Sequence, residues 1–166
     1  ITPDEVAMLV DFFYPGYLPL TDISGVQNMT GYIEFLRHLV SEEWQVANLG
    51  HDNVGYKKDL TQTFDYLQDL YDAAYELFPG FAPEGLVPFD GQHSGVWIRN
   101  LVDMCVTQMT EIVKEKWSHL PHWEVGRDHA AKVLWDFMLN YDYTTAREVG
   151  DKLRAIPDFE PIPAPK

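Results

Sequence analysis

The sequence predicts an all-α protein: a single-domain helical bundle of about six helices, four long and two short, with a proline-rich extended tail at its C-terminal end. Three observations lead there. Apolar residues recur at i, i+3, i+4 and i+7 in one stretch after another, the spacing of a helix with one buried face. Capping and stop signals bracket those stretches. No strand-like alternation of convincing length occurs, and no repeat of fixed period. The expected division is a bundle over residues 1–156 and a tail over 157–166.

The elements follow in order. Thr2-Pro3-Asp4-Glu5 reads as a capping box with proline at the first helical position. Val6, Leu9, Val10 and Phe13 then supply a core stripe, and Pro15-Gly16 stops the helix. A mixed connection leads to a second helix from about Gly31 to Asn48, with Tyr32, Leu36, Leu39, Val40, Val46 and Ala47 along one side and Gly50 as the left-handed stop. The third helix, from about Asp59 to Phe78, has the cleanest period: Leu60, Phe64, Leu67, Tyr71, Ala74 and Phe78.

Residues 79–92 form a long loop rich in proline and glycine, with Phe81 and Phe89 as candidate pins. The fourth helix, Ser94 to His119, carries a broad apolar face that includes Ile98, Leu101, Val102, Cys105, Met109, Ile112, Val113 and Trp117. Leu120-Pro121 breaks it. The fifth helix spans about Arg127 to Asn140, with Ala130, Val133, Leu134, Phe137 and Met138 inward. The sixth opens on a Thr145/Glu148 capping box and carries Val149, Leu153 and Ile156. Beyond Pro157, alternating prolines favour an extended arm that presents Phe159 and Ile162.

Composition narrows the function. The chain has 166 residues, 46% of them hydrophobic, enough for a core without disulfides or metal. Its formal charge of −14 opposes direct binding to nucleic acid and docking on anionic membranes. A cationic partner fits that charge. No apolar run reaches the length of a membrane span and no secretory apolar region opens the chain, so a soluble, cytoplasmic setting is expected. Ile1 in place of Met reads as a trimmed, processed or partial chain. Asn28-Met29-Thr30 is a sequon of a kind common by chance. Cys105 is the only cysteine; its spacing places it on an apolar helix face, as a packed thiol.

Five groups of residues could carry chemistry or contact. Asp65, Asp69, Asp72 and Glu76 follow one another at spacings of four, three and four, in a stripe displaced from the core face of the third helix. Such a stripe is ordinarily solvated; as a site it would steer a basic partner. Glu42 and Glu43 lie on the second helix, Glu43 towards the core beside Trp44. His119, His122, Glu124 and His129 cluster around the break between the fourth and fifth helices, but the proline between His119 and His122 spoils any helical ligand pair. Glu34, His38 and Glu42 share an exposed face. Five tryptophans and several helix-end tyrosines are numerous for a small domain, and Trp123 and Trp135 fall off the core stripes, as interface anchors do. Nucleophile elbows, glycine-rich phosphate loops and dinucleotide fingerprints are absent.

One resemblance bears on the carboxylates. Arg37-His38-Leu39-Val40-Ser41-Glu42-Glu43 and Leu67-Gln68-Asp69-Leu70-Tyr71 are similar to the two acidic helices of MazG-like all-α nucleotide pyrophosphohydrolases, about a quarter of the chain. The resemblance implies Mg²⁺ held by Glu42, Glu43, Asp65 and Asp69 for diphosphate cleavage. It departs from the family pattern where Gln45 and Val46 replace the expected acid, and where Tyr66 stands three residues before Asp69. The leading expectation is therefore a non-enzymatic, acidic helical interaction module without a cofactor. It would be a subunit of a larger assembly or an inhibitor of a basic protein partner, with homo-oligomerisation left open. Asp65, Asp69, Asp72, Glu76, Trp123, Trp135, Phe159 and Ile162 would make the contacts. The Mg²⁺-dependent hydrolase is the alternative.

Overall fold

The computed structural model describes residues 1–2, 4–19, 23, 26–50, 54–77 and 94–137, the first five residues of the last range as backbone only. The expected sixth helix, the loop over 79–92 and the tail with Phe159 and Ile162 lie outside the described residues. Most of what is described is helical. Among the described residues there are four helices: α1 (Met29–Ser41), α2 (Lys57–Leu77), α3 (Ser94–Trp117) and α4 (126–137), the last entered through a 3-10 turn at Trp123–Val125.

The N-terminal helix expected from Thr2 onward is not formed. A short strand, β1 (Val6–Met8), stands there and pairs in parallel with β2 (Val46–Asn48), with Val6 opposite Val46 and Met8 opposite Asn48. The capping-box residues are used differently. The Thr2 hydroxyl accepts from the Val6 amide at 3.2 Å, which closes a turn and not a helix. Glu5 adopts a left-handed φ of 59°, and its carbonyl and carboxylate both accept from Gln45. From Ala7 to Val10 burial alternates. Ala7 and Leu9 are buried, while Met8 is 59% and Val10 48% exposed. That is the period of a strand; apolar Val10 on the outer face disguises it as a helical stripe.

The second predicted helix stops early for a related reason. α1 ends at Ser41, and Glu42 turns into extended backbone. The freed carbonyls of its last turn find tertiary and local partners. The Trp44 indole donates to the Leu39 carbonyl at 2.9 Å, and Lys57 Nζ donates to the Glu42 carbonyl at 2.6 Å. Residues 46–48 then join the sheet, so Val46 and Ala47 belong to β2. Ala47 also exchanges backbone hydrogen bonds with Gly55. Gly55 passes so close to the Phe13 ring that an added Cβ would lie 2.7 Å from it.

The remaining helices lie close to their expected bounds. On α2 the buried face is Leu60, Thr63, Tyr66, Leu67, Leu70, Ala73 and Ala74, with Phe64 and Tyr71 only partly covered at its edge. The Asp59 carboxylate reaches back to the Tyr56 amide at 2.9 Å and caps the helix start. On α3, Cys105, Val106, Met109, Val113 and Trp117 are buried, whereas Ile112 is 50% exposed. On α4, Ala130, Val133, Leu134 and Phe137 face the core as expected. α2 packs between α1 and α3.

Two buried polar residues on α4 tie these helices together. Asp136 accepts from the amides of Met29 (2.9 Å) and Thr30 (3.0 Å) and from the Thr30 hydroxyl (3.1 Å). It is a second N-cap for α1, beside the local one in which Asn28 accepts from Gly31 at 2.7 Å. His129 is fully buried, with Nδ1 3.0 Å from the Tyr66 hydroxyl. Tyr66 in turn stands edge-on to Trp117.

Two stability changes are expected. Asp136→Ala strands two amides and removes negative charge from a helix N-terminus; thermal melts should show a loss of about 2 kcal/mol, and amide exchange should accelerate first in the first turn of α1. Thr63 works in the opposite direction. Its hydroxyl is buried without a hydrogen-bond partner among the described residues. Thr63→Val keeps the shape, removes the orphan, and should raise stability by about 1 kcal/mol in the same melts.

Candidate interaction surfaces

The acidic residues of α2 divide by partner. Asp69 is held firmly: its Oδ2 accepts from Lys116 Nζ and from the Trp117 indole, each at 2.7 Å, both on α3. It therefore clamps α2 to α3. Asp72 is exposed and accepts from Gln68 one turn earlier at 2.7 Å. Glu76 is exposed. Together Asp69, Asp72 and Glu76 edge a groove of about 350 Å³ between α2 and α3, where Ala73, Ile112 and Val113 supply apolar surface and Lys116 stands on the α3 side. Three carboxylates thus face one ammonium that already has a partner. Asp65, half-buried one turn earlier, does not line this groove.

The apolar floor explains itself physically. Ile112 falls on the predicted core face of α3, but the helix turns Met109 and Val113 inward and leaves Ile112 at the edge of the α2 contact. Sequence periodicity cannot distinguish the rim of a broad stripe from its centre.

A second groove, of about 500 Å³, runs between α3 and α4. Arg99, Asp103, Arg127 and Asp128 alternate in sign around apolar Val102, Val106 and Trp135. Arg127 bonds to the Asp103 carboxylate and, at 2.8 Å, to the Thr107 hydroxyl. Trp135 is 47% exposed. Trp123 is placed otherwise: it is half-buried, packed against the core, with its ring over Gly126. Of the other tryptophans, Trp44 and Trp117 are core residues.

The carboxylates considered for Mg²⁺ are not assembled. Glu43 is exposed and not turned to the core, because α1 has ended before it. Glu42 lies 3.4 Å from His38, and Asp69 is committed to Lys116 and Trp117. The histidines diverge as well: His119 is exposed, His122 stands against Tyr17 and Glu124, and His129 is buried on Tyr66. Among the described residues no three His, Cys, Asp or Glu side chains come together as a cation site. Among them, too, no helix is long and apolar enough to cross a membrane.

The buried polar groups went unseen in the sequence. His129 and Asp136 each lie next to a residue assigned to the apolar face of α4, and nothing local marks them as buried. Burial leaves clear signatures. The Tyr66 phenol is pushed well above its ordinary range by desolvation. The Cys105 thiol, which donates to the Leu101 carbonyl at 2.8 Å, is pushed up to about 11 by burial. It is the packed thiol that its spacing predicts.

Neither a protein-family model, nor a curated protein, nor a solved structure matches the chain.

The thiol gives a direct check. Reaction with iodoacetamide requires the thiolate. A pKa near 11 against the ordinary 9.0 lowers the thiolate fraction at pH 8 by about a hundredfold. Alkylation of the folded chain at pH 8 should be slower than that of the unfolded chain by at least this factor, read by mass spectrometry, and should recover in denaturant.

Proposed function

We propose that this chain is a non-enzymatic, acidic interaction module whose docking face is the groove between α2 and α3. Its occupant is a basic amphipathic helix, presented by a larger assembly or by a target that the module inhibits. The observation that carries the reading is the pairing of exposed Ile112 with the outward carboxylates of Asp72 and Glu76 at one groove.

The physical logic is that of a helix laid in a groove. Ile112 and Ala73 give the apolar face of the incoming helix something to cover, and carboxylates on the α2 side meet its lysines and arginines. Asp69 adds little attraction of its own, because Lys116 and Trp117 already satisfy it. The surplus of negative charge over the whole chain speeds encounter with a cationic partner and repels anionic ones. Trp135 supports a further contact at the α3–α4 groove, since large exposed rings serve as anchors in interfaces. Phe159 and Ile162 keep their proposed place as part of the arm that contacts the partner.

A designed helix of alternating leucine and lysine turns tests the reading without knowledge of the natural partner. Titrated by fluorescence anisotropy, it should bind the full chain with an affinity that falls as salt rises. The double change Asp72→Lys with Glu76→Lys should weaken it by about tenfold or more, and Ile112→Asp should weaken it at all salt concentrations. Equal binding to the parent and to both variants would exclude this groove as the docking face.

A further inference from the structure

The two-stranded sheet has a third member. Ala47 of β2 exchanges both backbone hydrogen bonds with Gly55, at 2.8 and 3.0 Å, so residues 54–56 run antiparallel to β2 on the side away from β1. One face of this small sheet is core. Ala7, Leu9, Ala47 and Leu49 are buried there, and Gly55 rests on the Phe13 ring. Alternation turns the intervening residues to the other face. Those are Val6, Met8 and Val10 on one edge, Val46 in the middle, and Val54 and Tyr56 on the far edge. Asn48, also in the middle, folds back to accept from the Gly50 amide at 3.1 Å.

This outer face is apolar and uncovered. Of the nine large hydrophobic residues that stand exposed among the described residues, four lie on it: Met8, Val10, Val54 and Tyr56. Such a concentration on one short sheet marks a contact surface, where scattered exposure would not. The rim carries charge of both signs. Glu5, at the start of the β1 edge, accepts from the Gln45 side chain, and the Lys58 ammonium lies 6.0 Å from the centre of the Tyr56 ring on the opposite edge. Because Gly55 pairs with Ala47, Tyr56 falls opposite Val46, and the two charges stand at the same end of the sheet. Both are exposed, and neither forms an ion pair among the described residues.

We propose that this face is the contact between two copies of the chain, stacked sheet on sheet about a two-fold axis parallel to β2. Such an axis sets β1 of each copy across from residues 54–56 of the other and keeps like ends together. Met8 of one copy then meets Val54 of the other, Val6 meets Tyr56, and Glu5 meets Lys58, each twice in the dimer. The face is complementary to itself, as an isologous contact requires. A partner of one charge would satisfy one rim residue and be repelled by the other, which favours a second copy over a basic or an acidic protein. The formal charge of −14 works against self-association, so the dimer belongs to moderate salt, where screening confines that repulsion to about 10 Å. The face shares no residue with the α2–α3 groove and stands independently of the function proposed for it.

The test is sedimentation velocity of the full chain at moderate salt and rising concentration. The parent chain should pass from monomer to dimer. Met8→Lys combined with Val54→Lys changes side chains that face solvent in the monomer. It should keep the melting temperature of a dilute sample and abolish the dimer. Glu5→Lys and Lys58→Glu should each weaken the dimer by about tenfold or more, since each turns two attractions into repulsions. An equimolar mixture of those two variants should recover it, because every rim lysine then faces a glutamate. General apolar stickiness cannot produce that recovery. Three results would overturn the assignment: a monomer at every concentration up to the limit of solubility, a dimer that survives the Met8/Val54 double change, or a mixture that associates no more tightly than its components.

Discussion

The arrangement of the helices turns on one buried carboxylate. Asp136 sits near the end of the described part of α4, yet it satisfies two amides and a hydroxyl in the first turn of α1. A carboxylate taken out of water is costly unless its oxygens are met by donors. Here it meets three, at the positive end of a helix. The requirement acts in both directions. α1 cannot move away from α4 without leaving a buried charge, and α4 cannot rotate without stranding amides. Because Ile33, Leu36 and Leu39 of α1 face the same core, the position of α1 carries with it the packing of α2. One hydrogen-bonded contact between segments more than a hundred residues apart thus fixes the relation of the first and last described helices.

A second polar path crosses the middle of the bundle and explains how the acidic stripe comes to be divided. His129 on α4 meets the Tyr66 hydroxyl on α2. Tyr66 stands edge-on to Trp117 on α3, and Trp117 donates to Asp69 on α2. Asp69 and Lys116 finish the path at the surface. These contacts hold three helices together through groups that demand particular orientations, which apolar packing alone does not. Asp69 is therefore mainly a structural clamp, although the sequence groups it with Asp72 and Glu76. The clamp brings α3 against α2 and so creates the groove on whose edge those two acids stand. Structure and candidate surface share a residue, but they use it differently from its neighbours.

What could be read from the sequence follows the range of the interactions involved. Helices α2, α3 and α4 were legible because their own residues repeat at helical spacing for three turns or more, and Cys105 was legible as a packed thiol for the same reason. β1 was not. Three residues are too few for alternation to stand out, and apolar Val10 on the outer face completes a false helical stripe that begins with a false capping box. The end of α1 was missed because its stop is supplied by Trp44 and Lys57 from beyond the helix, with no glycine or proline at the break. The acidic stripe was legible as a stripe, but the division of labour within it was not, since Lys116 and Trp117 lie more than forty residues away. Asp136 and His129 belong to the same class: a buried polar residue is recognised by its partner, and the partner is distant in the chain.

The acids of this chain consequently fall into populations that net charge conceals. Asp59 and Asp136 are buried and cap helices. Asp69 and Asp103 are paired with cations on the neighbouring helix. Carboxylates with such partners contribute little field at a distance, because a nearby cation or the positive end of a helix cancels much of it. The field that an approaching molecule meets comes from the outward remainder, which includes Asp72, Glu76 and Glu43. The proposed steering of a basic helix thus rests on those outward acids, placed where exposed Ile112 gives the encounter something to hold. A field made by a few outward charges falls away within about 10 Å at moderate salt, so it discriminates among cations only in combination with the apolar surface beneath it.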